Sequence, residues 1–144
     1  MAKSEFELNM QGEMKEELMV GSAVFVTFSG NCKNALTFYQ SCFGGQLNFQ
    51  FLDVKIPGVN ETPILIGSLK SKWIRIYGSD LVPNEGRLIG NSLAIFVNCQ
   101  DKDQRNNLME RLNDDSKRPI TESERDNPLI EITDRFDVSW ILAV

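Results

Sequence analysis

Arg75 lies between Ile74 and Ile76 in an alternating stretch, and its residue type is suited to holding an anion. A planar guanidinium grips a carboxylate or phosphate through paired hydrogen bonds. Alternation alone leaves two readings open, an outward arginine on a solvated strand face or an inward one in a ligand site. Cys32 falls in the first turn of a helix expected to start after Asn31, where the helix dipole lowers a thiol pKa and favours reactivity. No cationic or basic partner is placed beside it. Glu122 and Glu131 have the chemistry of a general acid or base, but no readable spacing sets a second carboxylate against either. Asp134 and Arg135 open a turn, where an aspartate most simply accepts hydrogen bonds from the turn backbone. The sequence assigns no catalytic residue.

The chain contains no histidine. That removes the commonest general base and the commonest metal ligand, so His-based triads, zinc sites and facial triads are excluded. Three cysteines, Cys32, Cys42 and Cys99, form an odd set without an apolar leader, which argues for reduced thiols in a cytoplasmic protein. The net charge of -5 and the lack of a basic block argue against a nucleic-acid partner. No apolar run approaches the roughly 20 residues needed to cross a membrane. The acidic set Asp101, Asp103, Glu110, Asp114 and Asp115 reads as a solvated helix face, and the Asn60-Glu61-Thr62 sequon as chance.

The elements that must position these residues can be read from period and punctuation. With 144 residues the chain is expected to form one domain over residues 21–144, preceded by an extension over residues 1–20. Residues 21–28 read as a strand. Asn31 is placed to cap a helix from Cys32 to Phe43, with Ala35, Leu36, Phe38, Tyr39, Cys42 and Phe43 at helical spacing and Gly44-Gly45 as its stop. Strands are expected over residues 46–54, 64–69 and 73–77, the last two joined by a hairpin at Lys70-Ser71-Lys72. After a linker over residues 79–90 the pattern returns: a strand over 92–98, a helix from Asp101 to Leu112, then strands over 117–123, 129–133 and 138–144. The order β-α-β-β-β thus occurs twice, over about 21–80 and 90–144, the kind of internal repeat that duplication leaves.

The run Gly30-Asn31-Cys32, Ala35-Leu36, Phe38-Tyr39, Phe43-Gly44-Gly45 and the close Thr133-Asp134-Arg135-Phe136-Asp137-Val138-Ser139-Trp140 resemble the signatures of PhnB-like proteins. These belong to the vicinal oxygen chelate superfamily, with glyoxalase I, bleomycin-resistance proteins and extradiol dioxygenases. The resemblance covers residues 21–144. It implies an α+β fold of two paired βαβββ modules, whose cupped mixed sheets surround a cavity, and a homodimer. It departs at Asp137, where the family has glycine; aspartate tolerates the left-handed backbone such a turn needs. The family's metal-ligand positions align with Val24, Ser92, Arg75 (or Ile74) and Ile141, none a convincing ligand for a divalent cation. What the resemblance implies is therefore a metal-free, cofactor-free protein that binds a small, aromatic or anionic molecule. Arg75, Phe25, Ser92 and Trp140 are its candidate ligand-binding residues. The alternative is a superfamily enzyme of lyase, isomerase or dioxygenase type with a metal or acid/base site not evident from these positions.

Overall fold

In the computed structural model, residues 21–53, 62–80, 89–114 and 118–144 are described. The expected extension over residues 1–20 lies outside them. The described residues divide into two compact units, one of residues 21–40, 44–53 and 62–80 and the other of residues 41–43, 89–114 and 118–144.

The first unit contains β1 (Val24–Thr27), helix α1 (Cys32–Phe43, whose last turn groups with the second unit), β2 (Gln46–Phe51), β3 (Ile64–Lys70) and β4 (Arg75–Ser79). The four strands form one sheet in the order β1-β4-β3-β2. β1 runs parallel to β4, and β3 runs antiparallel to both β4 and β2. α1 starts and ends where the period predicts. Gly44 and Gly45 have φ of 73° and 102°, which a side chain would strain, and a Cβ on Gly45 would run into the Lys70 carbonyl. One sheet face carries Val24, Ile76 and Leu69 across neighbouring strands, and α1 packs on it, with Leu36 and Cys32 fully buried. The approach is close because Gly67 and Gly78 sit opposite each other there. A Cβ on Gly67 would come within 2.8 Å of Leu36 Cδ1, and one on Gly78 within 3.0 Å of Cys32 Sγ.

The second unit contains β5 (Ile95–Asn98), α2 (Lys102–Leu112), the short helix α3 (Glu122–Arg125), β6 (Leu129–Thr133) and β7 (Ser139–Ala143). Its sheet has three strands in the order β5-β7-β6. The repeat is preserved at its core: as β1 pairs parallel with β4, so β5 pairs parallel with β7, with Ile95 opposite Trp140 where Val24 is opposite Ile76.

Over the described residues 118–123 the expected strand of 117–123 is not formed. Pro119 offers no N–H to a ladder, and Thr121 instead caps α3, its hydroxyl accepting from the Glu124 N–H at 3.2 Å. Among the described residues the second module's sheet thus has three strands, with β6 at its edge. Arg118 partly covers that edge: Nη2 donates to the Glu131 carbonyl at 3.0 Å while Nη1 grips Glu124 at 2.8 and 2.9 Å.

Two buried charged side chains organise this unit. Arg105 stands at the first position of an i, i+3, i+4, i+7 stripe with Leu108, Met109 and Leu112, and all four are buried. Its guanidinium donates to the Arg125 and Asn127 carbonyls, each at 2.6 Å, which satisfies main chain in the last residue of α3 and just beyond it. Asp134 lies in the β6–β7 turn. Its Oδ1 accepts from the Phe136 and Val138 N–H groups, and its Oδ2 accepts from Trp140 Nε1 at 2.8 Å. Asp137 takes φ 64°, the left-handed conformation expected of it.

Candidate functional site

The face of the first sheet opposite α1 carries the groups with chemistry. Side chains alternate along a strand, so Arg75, Tyr77 and Ser79 share one side of β4, and Ile76 and Gly78 share the other. Tyr77 packs on Ile66, which fixes that side as the one away from Leu36 and Cys32. Register then assembles three rows across the sheet. Arg75 stands opposite Lys70, which stands opposite Gln46. Phe25, Tyr77, Ser68 and Asn48 form the middle row. Thr27 pairs with Ser79 and Gln50 with Ile66, at the far end.

An amphipathic sheet normally buries an apolar face and shows a polar one to water. Here the polar face is itself partly buried. Ser68 is 3% and Ser79 4% exposed, while Phe25 keeps 56% of its surface open. Gln50 Oε1 is buried and finds no hydrogen-bond partner among the described residues. A buried acceptor left unmatched costs about 1–3 kcal/mol, so it is a place where a donor is wanted.

The four candidate binding residues fall in different places. Arg75 and Phe25 come to the same face, in adjacent rows. Trp140 lies on the opposite side of its own sheet from Phe96 and Ile141; it is fully buried, 5.3 Å ring to ring from Phe43 and hydrogen-bonded to Asp134. Ser92 is in an exposed bend ahead of β5, outside any strand. Val24, the first aligned metal-ligand position, points toward α1; its neighbour Phe25 holds the open face, and Phe96 is the equivalent residue of β5, opposite Ile141. Aromatic, aliphatic, hydroxyl and cationic side chains at these places do not fit a divalent cation. Among the described residues, no three His, Cys, Asp or Glu side chains gather as a metal site.

Lys70, Tyr77, Ser68 and Gln50 were not expected here. Lys70 reads as a hairpin residue in sequence, but β3 continues through it, and the turn is set by Ser71, whose hydroxyl accepts from the Trp73 and Ile74 N–H groups. Ser68 carried a signal, a lone hydroxyl inside an apolar run.

The N-terminus of α1 differs from expectation as well. Asn31 occupies the cap position, but its side chain makes no capping bond and its Oδ1 is buried without a partner among the described residues. Asp80, 2% exposed, does the work instead: Oδ1 accepts from the Gly30 and Cys32 N–H groups and Oδ2 from the Ile64 N–H, all at 2.9 Å. The Cys32 thiol is consequently not activated. Burial pushes its pKa up, and the negative charge of Asp80 adds to that, which outweighs the helix dipole. Cys42 is pushed up to about 11, chiefly by burial, with the Ser41 hydrogen bond and Arg111 opposing. Cys99 is raised by burial too.

The second unit has a cleft of about 940 Å³ along the outer edge of β6. Its walls mix Arg118, Arg135, Glu124, Glu131 and Asp137. Much of that charge is already paired: Arg118 with Glu124 at 2.8 Å and Arg135 with Asp114 at 3.1 Å.

No protein-family model matches the sequence, and no curated protein has a significantly similar one. Solved structures do match. Protein PA1353 from Pseudomonas aeruginosa is 22% identical with a TM-score of 0.64, over 85% of this chain and 97% of that one. A PhnB protein from Bacillus cereus, described as a candidate 3-demethylubiquinone-9 3-methyltransferase, is 19% identical with a TM-score of 0.66 over the same shares. A gene product from Arabidopsis thaliana is 19% identical with a TM-score of 0.55, over 88% of this chain and all of that one. The chain has the PhnB-like α+β fold.

Proposed function

We infer that this PhnB-like protein binds a small molecule on the face of the β1–β4 sheet opposite α1, without a metal or cofactor. The observation that carries the reading is the burial of polar groups on that face, above all Gln50 Oε1, which finds no donor among the described residues. Phe25 and Tyr77 supply an aromatic surface beside Ser68 and Asn48, a combination that suits a planar ligand with polar substituents. Arg75 supplies the charge for an anionic one. Three free, buried thiols suit a reducing, cytoplasmic setting, and the resemblance to PhnB-like proteins suits a homodimer. No helix among the described residues is long and apolar enough to cross a membrane.

Native mass spectrometry of gently purified protein, followed by a thermal-shift screen of small aromatic acids, amines and alcohols, tests the reading. A dimer mass with a co-purifying ligand, or stabilisation that Gln50→Leu weakens, supports it. A screen without a single stabilising compound, on protein that carries nothing, overturns it.

A further inference from the structure

Resting on that reading of the site, we propose that Gln50 selects the ligand: an aromatic molecule that presents an uncharged N–H or O–H to Gln50 Oε1, with its ring on Ile66 and beside Tyr77. β3 lies between β2 and β4, and Ile66 stands directly opposite Gln50 in the β2–β3 register. Tyr77, on the strand to the other side, packs on Ile66. The three residues thus form one patch on the face away from α1, with an apolar floor, an aromatic wall and an amide. Two strand spacings, about 10 Å, separate the β2 and β4 backbones, a span that suits one or two fused rings between the two side chains. The amide oxygen is buried, and no donor among the described residues reaches it. Ile66 beside it is 4% exposed, so water is largely kept from the floor. A buried acceptor in such surroundings sorts ligands by the group they offer it. An ether or a carboxylate brings only acceptors, which sets oxygen against oxygen. An ammonium brings donors and also a charge, and burying a charge without a countercharge costs far more than one hydrogen bond returns. The four strands contain no aspartate or glutamate to supply that countercharge. Asp80, just past β4, has both oxygens committed to main-chain N–H groups. An uncharged N–H or O–H, as in an indole, a lactam or a phenol, satisfies the oxygen and adds no charge. A site built around one such bond rejects the analogue that lacks the donor more strongly than an apolar pocket rejects a change of size.

NMR-monitored titrations with indole, benzofuran and benzylamine at neutral pH test the proposal, read from the Tyr77 ring and the Gln50 side-chain amide. Indole and benzofuran have nearly the same shape and differ in the N–H. Indole is expected to bind about fivefold or more tightly than benzofuran, the return on satisfying one buried acceptor. It should also bind more tightly than benzylamine, which is a cation at that pH. Gln50→Met keeps the length of the side chain without its amide oxygen. It should bring the two bicyclic probes to equal affinity by weakening indole while benzofuran is unchanged, and Gln50→Leu should do the same. Equal affinity of indole and benzofuran for the wild type, with the Tyr77 ring shifted by both, would overturn the donor proposal and leave the binding face standing. Tightest binding by benzylamine, or a preference for indole that survives Gln50→Met, would overturn it in the same way. If none of the three probes shifts Tyr77, Gln50 or Phe25, the proposal and the binding face fall together.

Discussion

Asp80 Oδ1 accepts the Cys32 N–H at 2.9 Å, joining the end of β4 to the first turn of α1 across 48 positions of sequence. The same carboxylate holds the Gly30 and Ile64 N–H groups, so a single buried side chain fixes where the helix, β3 and β4 meet.

Asp80→Ala strands three backbone donors in a buried place, and should lower unfolding free energy by about 2–4 kcal/mol, against roughly 1 kcal/mol for an ordinary lost hydrogen bond. Asp80→Asn keeps one acceptor oxygen and should fall between the two. Urea unfolding reads the order; equal stability of wild type and Asp80→Ala would show that water or another group satisfies those donors.

The thiols should be inert in the native state. The folded pKa of Cys42 is raised from 9.0 to about 11, so the folded protein holds its proton while the unfolded chain loses one. The associated stability is fully present below about pH 9 and is lost as pH rises toward 11, a change on the order of 2 kcal/mol. Cys42→Ala should flatten the stability profile across that window. Rapid labelling of native protein by a thiol reagent at pH 8 would contradict the burial.

Gly78 and Cys32 share one contact. A Cβ on Gly78 would sit 3.0 Å from Cys32 Sγ, 3.1 Å from Phe28 Cε2 and 3.2 Å from the Val26 carbonyl. Gly78→Ala should cost about 1–3 kcal/mol through overpacking. Adding Cys32→Ala removes the nearest of those atoms, so the double variant should lose less than the sum of the single ones. Strict additivity in chemical denaturation would place the strain elsewhere.

Asp134 and Trp140 form the matching device in the second unit. Asp134→Ala orphans the indole N–H and two turn amides, with an expected loss of about 2–4 kcal/mol. With Trp140→Phe it should show a coupling of about 0.5–3 kcal/mol in a double-mutant cycle. A coupling near zero would mean that the 2.8 Å bond contributes nothing net.

Local signals were legible and distant ones were not. α1 from Cys32 to Phe43 and β6 from Leu129 to Thr133 could be read because an apolar period and its stops lie within the segment. The strand expected over 117–123 failed against two local signals, Pro119 and the capping pattern Thr121-x-x-Glu124. Asp80 as the organiser of the α1 N-terminus was beyond the sequence, because the preference of Asn31 for a cap is local and the competing carboxylate arrives by tertiary folding. Arg75 and Phe25 were legible as candidates, but which face each strand turns to α1 depends on Gly67 and Gly78 admitting the helix. That choice of face also brings Lys70 opposite Arg75.

Amide and side-chain NMR of labelled protein titrated with a fragment library reads the binding face opposite α1 directly. Hits should shift Phe25, Gln50, Ser68, Arg75 and Tyr77 together, and Gln50→Leu should weaken them. Hits that instead map to Arg118, Glu131 and Arg135 at the β6 cleft, or a library without hits, would contradict it.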